Sequence, residues 1–154
     1  MTAAELVQNI RDGYSGELTE AKAPAERDAW VGVPPEQITQ MATFLRDSYP
    51  PLHLSTITGV DRGETIDVIY HFIAEGVSLN LRASVDKVTA TIDSITPVIP
   101  AAILYEREVA DLLGVQFAGH PDPRRLILPE DWPEGEYPLR RTAASEQETT
   151  QENG

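Results

Sequence analysis

The 154-residue chain contains no cysteine and no long apolar segment. Without thiols it forms no disulfide bonds, and it cannot hold an iron–sulfur cluster through the usual cysteine thiolates. No apolar run approaches the roughly 20 residues that a membrane-spanning helix needs, and no basic-then-apolar segment at the N-terminus is typical of a signal peptide. We therefore expect a soluble cytoplasmic protein that meets a membrane only through partners.

Basic residues are also scarce: twelve Lys and Arg stand against twenty-five Asp and Glu, for a formal net charge of −13. Nucleic-acid binding without sequence preference depends on basic side chains that displace phosphate counterions. Attraction to an anionic membrane surface needs the same charges. The composition therefore argues against nucleic acid and lipid as partners, and the length suits one domain.

The apolar patterning switches between helical and strand periods and predicts an α+β fold. Period-two alternation in the middle of the chain is typical of an antiparallel meander with one buried face. We expect residues 1–118 to form a core domain in which helices cover one face of a mostly antiparallel sheet. The expected helices span residues 3–12, 34–48 and 100–113, and the expected strands lie around residues 17–21, 29–33, 52–60, 65–73, 77–84 and 88–92.

Two segments follow this core. Residues 119–141, called the C-terminal arm below, are rich in proline and show little periodicity, yet they contain Leu126, Trp132 and Tyr137. A structureless segment of this length is usually functional or disordered, and the apolar content favours an extended arm that packs on its own domain or on another protein. Residues 142–154 lack large apolar side chains, so we expect a disordered acidic tail.

The predicted helix at residues 100–113 places four charges within six residues, at Glu106, Arg107, Glu108 and Asp111. Glu106 and Glu108 are two residues apart and do not face each other, so this spacing gives little support to two-carboxylate acid–base catalysis. Arg107 and Asp111 can pair across one turn. Two interpretations of this helix remain. It is a solvated helix with an incidental ion pair, or its carboxylates bind either the basic loop that follows or a neighbouring subunit. The positions that we expect to face the core are Tyr105, Val109 and Leu112.

Motifs for catalysis or cofactor binding are missing from the sequence. The three histidines do not have a metal-binding spacing such as H-E-x-x-H. The glycine-rich phosphate-binding motifs and the G-x-S-x-G nucleophile motif are absent. Arg124 and Arg125 can bind a phosphate or a carboxylate, or can be neutralised by nearby acids of the same chain. The residues therefore predict no catalytic site, no metal and no cofactor.

The charged helix and the C-terminal arm resemble the motif of one family, the 30 kDa subunit of complex I (NADH dehydrogenase), with relatives in membrane-bound nickel–iron hydrogenases. That motif has Glu-Arg-Glu, an acidic residue three positions later, two apolar residues and then a basic residue. The similarity is strong over residues 97–141, whereas over residues 29–84 only the order and lengths of elements match. The matching residues are Glu106, Arg107, Glu108, Asp111, Leu112, Leu113, His120, Arg124, Leu126 and Ile127.

The resemblance implies a docking subunit without a cofactor, in the peripheral part of a membrane-bound electron-transfer complex at the cytoplasmic face of the membrane. The implied partners are the large, hydrogenase-like (49 kDa-type) subunit and the small iron–sulfur subunit of that complex. The chain would be an accessory subunit of an oxidoreductase, not itself a catalyst, and its C-terminal arm would lie along the large subunit with aromatic anchors. The residues implied to bind partners are Glu106, Arg107, Glu108, Asp111, His120, Arg124, Arg125, Trp132, Tyr137 and Arg140.

Two departures from the motif bear on which complex is involved. Respiratory members usually have Asn-Trp where this chain has Ile103 and Leu104, and Phe where it has Leu113. Both changes are more similar to the hydrogenase-linked branch, so an energy-converting nickel–iron hydrogenase stands beside a complex I-like dehydrogenase as the parent complex. The alternative from another functional class is a stand-alone domain that binds small anions through Arg124 and Arg125.

Overall fold

The computed structural model describes residues 1–141, and this range contains three α-helices and seven strands. The predicted tail at residues 142–154 lies outside the described residues. In chain order the elements are α1 (Ala3–Gly13), β1 (Glu20–Ala25), β2 (Asp28–Gly32), α2 (Ile38–Ser48, after a 3₁₀ turn at Pro35–Gln37), β3 (His53–Asp61), β4 (Thr65–Ala74), β5 (Val77–Asp86), β6 (Thr91–Asp93), α3 (Ala102–Leu113) and β7 (Gln116–Ala118).

Local sequence explains where the first and last helices begin or end. At the start of α1, Thr2 and Glu5 exchange hydrogen bonds between side chain and backbone, so two free N–H groups of the first turn are satisfied. At the end of α3, Gly114 adopts the left-handed conformation (φ +73°) and its N–H donates to the carbonyl of Ala110. Glycine is favoured there because it has no Cβ to clash. Pro100 lies two residues before α3 instead of inside it.

Five strands form one sheet in the order β1-β2-β5-β4-β3. Neighbouring strands are antiparallel except β2 and β5, which are parallel. The prediction of an α+β fold with a mostly antiparallel sheet is therefore confirmed. The short strands β6 and β7 form a second, parallel pair. The expected strand over residues 88–92 is reduced to three residues, because the Asp86 carboxylate accepts the N–H groups of Val88 and Thr89 in a turn.

The core lies between one face of the sheet and the helices. Along β4, Val68, Tyr70 and Phe72 are fully buried, and they share a face with Leu79 and Leu81 of β5. The helices contribute apolar side chains to this core from one stripe each. These side chains are Leu6 and Ile10 of α1, Met41 and Leu45 of α2, and Val109 and Leu113 of α3.

Helix α3 packs closely on β3, and this contact positions the site described next. Gly59 of β3 lies under Leu113, and a Cβ at residue 59 would overlap a Leu113 methyl group. Because glycine permits such a close approach, Val109 and Leu113 sit against the sheet. The opposite side of α3 is thereby available to the C-terminal arm.

Candidate functional site

The predicted site residues lie on α3 and on the C-terminal arm, which forms no helix or strand between residues 119 and 141. After β7 the chain reverses and runs along α3, where it meets Ile103, Arg107 and Asp111 in turn. Side-chain hydrogen bonds from α3 therefore hold the arm in place of regular secondary structure.

Glu106 is completely buried beneath the start of the arm. Its Oε2 accepts a hydrogen bond from the Ser94 hydroxyl (2.6 Å), and its Oε1 accepts one from the backbone N–H of Ile95 (2.8 Å). Burial raises the pKa of Glu106, and the two donors and the neighbouring His120 offset only part of that rise. The Glu106 carboxylate thus joins α3 by hydrogen bonds to the loop that follows β6.

The raised pKa of Glu106 predicts a pH dependence of stability. The folded protein holds this proton more tightly than the unfolded chain, in which the ordinary pKa is 4.5. The contribution of Glu106 to the free energy of unfolding therefore falls as the pH rises from the pKa of Glu106 in the unfolded chain to its pKa in the folded protein. Above the folded-state pKa this contribution is constant. Glu106→Gln cannot ionise. The wild-type-minus-variant difference in urea unfolding free energy should fall across this window, and a flat or rising difference would contradict the assignment.

His120 holds the first residues of the arm. Its Nε2 donates to the carbonyl of Ile103 (2.9 Å), and its Nδ1 accepts from the backbone N–H of Asp122 (2.9 Å). Both ring nitrogens are therefore engaged by backbone groups. The same Nε2 lies 3.9 Å from Glu106 Oε2. His120 thus connects the arm to the first turn of α3 and to the buried carboxylate.

Arg107 holds the next part of the arm. Its Nε and Nη2 donate to the carbonyls of Arg124 (2.9 Å) and Arg125 (3.1 Å), and its Nη1 lies 3.5 Å from Asp122 Oδ2. The expected pair between Arg107 and Asp111 is therefore wrong. The guanidinium reaches across to the arm because the arm offers it two carbonyls and a carboxylate, which suit its planar set of donors.

Asp111 is buried and binds the arm through backbone amides. Its Oδ2 accepts the N–H groups of Leu126 (2.8 Å), Ile127 (2.7 Å) and Leu128 (3.2 Å). Hydrogen bonds from amides to an ionised oxygen are stronger than neutral ones. A single carboxylate therefore fixes the path of three successive residues that belong to no helix or strand.

Arg124 and Arg125 serve the conformation of the arm itself. Arg124 donates to both oxygens of Asp122, at 2.7 and 2.9 Å, and this pairing holds the pKa of Asp122 well below its usual range. Arg125 Nη1 donates to the carbonyls of Pro129 (3.0 Å), Glu130 (3.2 Å) and Trp132 (2.6 Å). These contacts close the middle of the arm into a loop.

The aromatic residues of the arm are half-buried against their own chain. Trp132 Nε1 donates to the carbonyl of Glu136 (2.9 Å). Tyr137 packs over Gly114, and the Arg140 guanidinium carbon lies 4.8 Å from the centre of the Tyr137 ring. Arg140 Nε also donates to the carbonyl of Leu113 (2.6 Å). The end of α3 is thus capped by the far part of the arm.

A pair of glycines tests the contact between Tyr137 and Gly114. Both Gly114 and Gly119 have positive φ, at +73° and +82°, but only at Gly114 would a Cβ overlap the Tyr137 ring. We expect Gly119→Ala to cost about 1–2 kcal/mol of unfolding free energy from backbone strain, and Gly114→Ala to cost at least about 1 kcal/mol more from overpacking. Thermal and urea unfolding of both variants measures the difference. Equal losses would mean that the ring is free to move away.

The last described residues are held at the sheet. Asp61 Oδ2 accepts the backbone N–H of Arg141 (2.7 Å) and pairs with Lys87 Nζ (2.8 Å). Burial raises the pKa of Asp61, but the donors from Lys87, Gly63 and Arg141 outweigh it, and the net pKa is lowered. The arm therefore contacts the core at both of its ends.

The structure brings together nine of the ten predicted site residues in one continuous network on α3 and the arm. The tenth, Glu108, is half-exposed and forms no side-chain hydrogen bond or ion pair with any residue in the range 1–141. Sequence reasoning missed Ser94, Asp122 and Asp61. The sequence offered a reason to include Asp122, because it lies inside the basic loop that contains the motif residues His120 and Arg124. It offered no such reason for Ser94 and Asp61, which are distant in sequence from the motif.

A cavity of about 410 Å³ opens between α3, β7 and the arm, lined in part by Glu106, Phe117, His120 and Tyr137. Within residues 1–141 no group of three or more His, Asp or Glu side chains is arranged to hold a metal ion. Of the polar side chains that line the cavity, Glu106, His120 and Asp111 are bonded to backbone groups of the same chain. The arrangement holds the arm along α3.

Comparison with known proteins agrees with this architecture. The membrane-bound hydrogenase subunit beta of Pyrococcus furiosus is 30% identical over 148 residues, which cover 91% of this chain and 86% of that protein. A subunit of the NADH-quinone oxidoreductase of a Roseiflexus species is 39% identical over 122 residues, covering 74% of this chain and 68% of that protein. Among solved structures, a chain of the membrane-bound sulfane sulfur reductase, an archaeal respiratory membrane complex, matches with a TM-score of 0.77 at 26% identity, covering 96% of this chain and 91% of that one.

The family model of the respiratory-chain NADH dehydrogenase 30 kDa subunit matches residues 31–149. This range includes β3 to β7, α2, α3 and the whole C-terminal arm. The resemblance carried by the charged helix and the arm therefore extends over most of the chain. The chain belongs to the family of the respiratory-chain NADH dehydrogenase 30 kDa subunit.

Proposed function

We infer that this protein is a docking subunit, without a cofactor of its own, in the peripheral part of a membrane-bound electron-transfer complex. The complex is an energy-converting nickel–iron hydrogenase or a complex I-like dehydrogenase of the NADH/quinone type. Family membership supports this function, as do similar proteins that are subunits of a membrane-bound hydrogenase and of an NADH-quinone oxidoreductase. The chain would hold the large hydrogenase-like subunit in position beside the small iron–sulfur subunit.

The observation that carries the proposal is the network between α3 and the C-terminal arm. Six charged side chains of α3 and the arm shape this segment, which has no secondary structure, or join it to the core. They are Glu106, Arg107, Asp111, Arg124, Arg125 and Arg140. No residue of the arm belongs to the hydrophobic core, which the rest of the chain supplies. A long segment held in one path at a surface is suited to contact another protein.

The location follows from the same function. None of the helices in residues 1–141 is long and apolar enough to cross a membrane. We propose that the chain sits at the cytoplasmic face of the membrane and is attached there by its partner subunits.

The stand-alone anion-binding alternative has less support. Arg124 already donates to both oxygens of Asp122, and Arg125 Nη1 already donates to three carbonyl oxygens. An added anion would have to compete with these contacts. We therefore favour the docking function.

Affinity purification tests the proposal directly. The tagged full-length chain, expressed in its native host, is recovered from membranes in mild detergent and its partners are identified by mass spectrometry. We expect a large hydrogenase-like subunit, a small iron–sulfur subunit and integral membrane subunits. Paired nickel-ligating cysteines in the large subunit would identify a hydrogenase, and their absence a dehydrogenase. Recovery of the chain alone from the soluble fraction would overturn the proposal.

A further inference from the structure

Exposed large apolar side chains are most frequent on α3 and the C-terminal arm. Seven large apolar residues are exposed within the described range, and four of them lie on α3 or on the C-terminal arm. The three on the arm are Leu126, Ile127 and Leu139, with 42%, 49% and 56% of their surfaces accessible. Such a grouping on a small domain is typical of a contact surface for another protein.

These three residues are held near one another by the last turn of α3. The amides of Leu126 and Ile127 bind Asp111, and the amide of Leu139 donates to the carbonyl of Leu112, the next residue (2.9 Å). Their backbones are thereby fixed while their side chains remain accessible. A surface whose backbone is fixed before binding loses less conformational entropy when a partner arrives.

Acidic residues lie between Ile127 and Leu139 along the arm. Glu130, Asp131, Glu134 and Glu136 are all exposed and follow shortly after Leu128, and none of them forms an ion pair with a residue in the described part of the chain. No basic residue lies between positions 126 and 139. Glu130 and Glu134 line a pocket together with Arg107, Arg124 and Arg125. All four acids nevertheless lack an ion pair within residues 1–141, so this stretch presents carboxylates that a basic partner can pair.

We propose that Leu126, Ile127 and Leu139, bordered by these four acids, form the surface that inserts into an apolar groove lined with Lys or Arg on a partner protein. This inference rests on the proposed function and specifies which face of the chain docks. The charged motif residues are positioning residues for the arm, and the apolar side chains make the contact. Apolar insertion supplies affinity, and complementary charge supplies orientation and rate.

Other occupants of this surface fit the charges poorly. A second copy of the chain would bring the same four acids against themselves, and like charges at an interface are repulsive. Residues 142–154 of the chain contain three glutamates and no large apolar side chain. They have neither the charge nor the apolar groups to cover the surface.

Co-purification from native membranes tests the surface with matched variants. Leu126→Asn with Ile127→Asn removes the apolar contact at two exposed positions. Ile73→Asn with Val88→Asn alters two exposed apolar positions outside the arm and serves as control. We expect the first double variant to recover at least tenfold less of the large and iron–sulfur subunits than the wild type, and the control to recover as much. Unchanged thermal unfolding of both variants confirms that each is folded.

A charge variant examines the acidic border separately. Glu130→Gln, Asp131→Asn, Glu134→Gln and Glu136→Gln in one chain remove four charges with little change of shape. Recovery of the two subunits with the wild type should drop as salt is raised in the wash, since salt screens exposed charges. The neutral variant should recover less at low salt and depend less on salt. Identical salt dependence of both proteins would overturn the charged border.

The outcomes separate the surface from the function. If the wild type recovers both subunits and the Leu126 and Ile127 variant does so equally, the surface is overturned and the docking function stands. If the wild type recovers neither subunit, the proposed function is overturned and the surface with it. A purified wild type that is dimeric, with a variant that is monomeric, would overturn the choice of partner in favour of a second copy.

Discussion

Glu106→Ala is expected to lower the free energy of unfolding by about 2–4 kcal/mol, since each buried group left without its hydrogen-bond partner costs about 1–3 kcal/mol. The variant leaves the Ser94 hydroxyl and the Ile95 N–H without their acceptor in a fully buried place. It also opens a space beside His120, and cavities in packed interiors are destabilising. The variant also removes a buried carboxylate whose burial is unfavourable, and this offsets part of the destabilisation. The expected decrease in unfolding free energy is therefore smaller than the sum of the individual losses.

Glu106→Gln is the matched control for this experiment. The amide has nearly the same shape, keeps one oxygen to accept from Ile95, and carries no charge. We expect it to lose clearly less stability than Glu106→Ala in urea unfolding at neutral pH. Equal losses from the two variants would show that charge, and not the filling of the site and its hydrogen bonds, is what the position needs.

Asp111→Ala is expected to release the middle of the C-terminal arm while the core stays folded. Three amides lose a charged acceptor, and such bonds contribute about 1.5–3 kcal/mol each when buried. Water can replace part of this at a half-exposed segment. We therefore expect the free energy of opening of the arm to be about 2 kcal/mol smaller in the variant than in the wild type. This corresponds to a roughly 30-fold larger equilibrium constant for opening. Hydrogen exchange at residues 126–128 measures it.

Two variants frame the Asp111 result. Asp111→Asn keeps an oxygen acceptor without the charge and should give an intermediate effect. Asp131→Ala removes an exposed carboxylate of the arm that forms no ion pair with a described residue, and it should leave exchange at residues 126–128 unchanged. Unaltered exchange in Asp111→Ala would mean that Arg107 and His120 hold the arm without it.

Much of the core could be predicted from local patterns. The stripe of Ile38, Met41, Ala42 and Leu45 identified α2, and alternation along Val77 to Ser84 identified β5 with its buried face. Both signals depend on neighbours within one element. The parallel pairings of β2 with β5 and of β6 with β7 could not be predicted in the same way, because they join segments far apart in sequence.

The site shows a similar division. The charged residues were found from the sequence, and of the two interpretations of α3 the solvated helix does not fit Glu106 and Asp111, which are buried. Asp111 instead holds the segment that follows, as the other interpretation expected. Of the three positions expected to face the core, only Val109 is fully buried, and Tyr105 and Leu112 are half-exposed. Helical periodicity sorts side chains by polarity alone. It cannot foresee a donor such as the Ile95 N–H or the Leu126 N–H, supplied by another segment.

Between residues 124 and 128, α3 binds only the backbone of the arm. Arg107 donates hydrogen bonds to two carbonyls, and Asp111 accepts hydrogen bonds from three amides. The side chains at positions 126 and 127 can accordingly be replaced without loss of the hydrogen bonds that attach the arm to α3. Leu126 and Ile127 are nevertheless among the residues that match the family motif, which agrees with a role of their side chains in contacts outside the arm. The same separation makes the segment a place to graft new binding specificity onto an otherwise unchanged subunit.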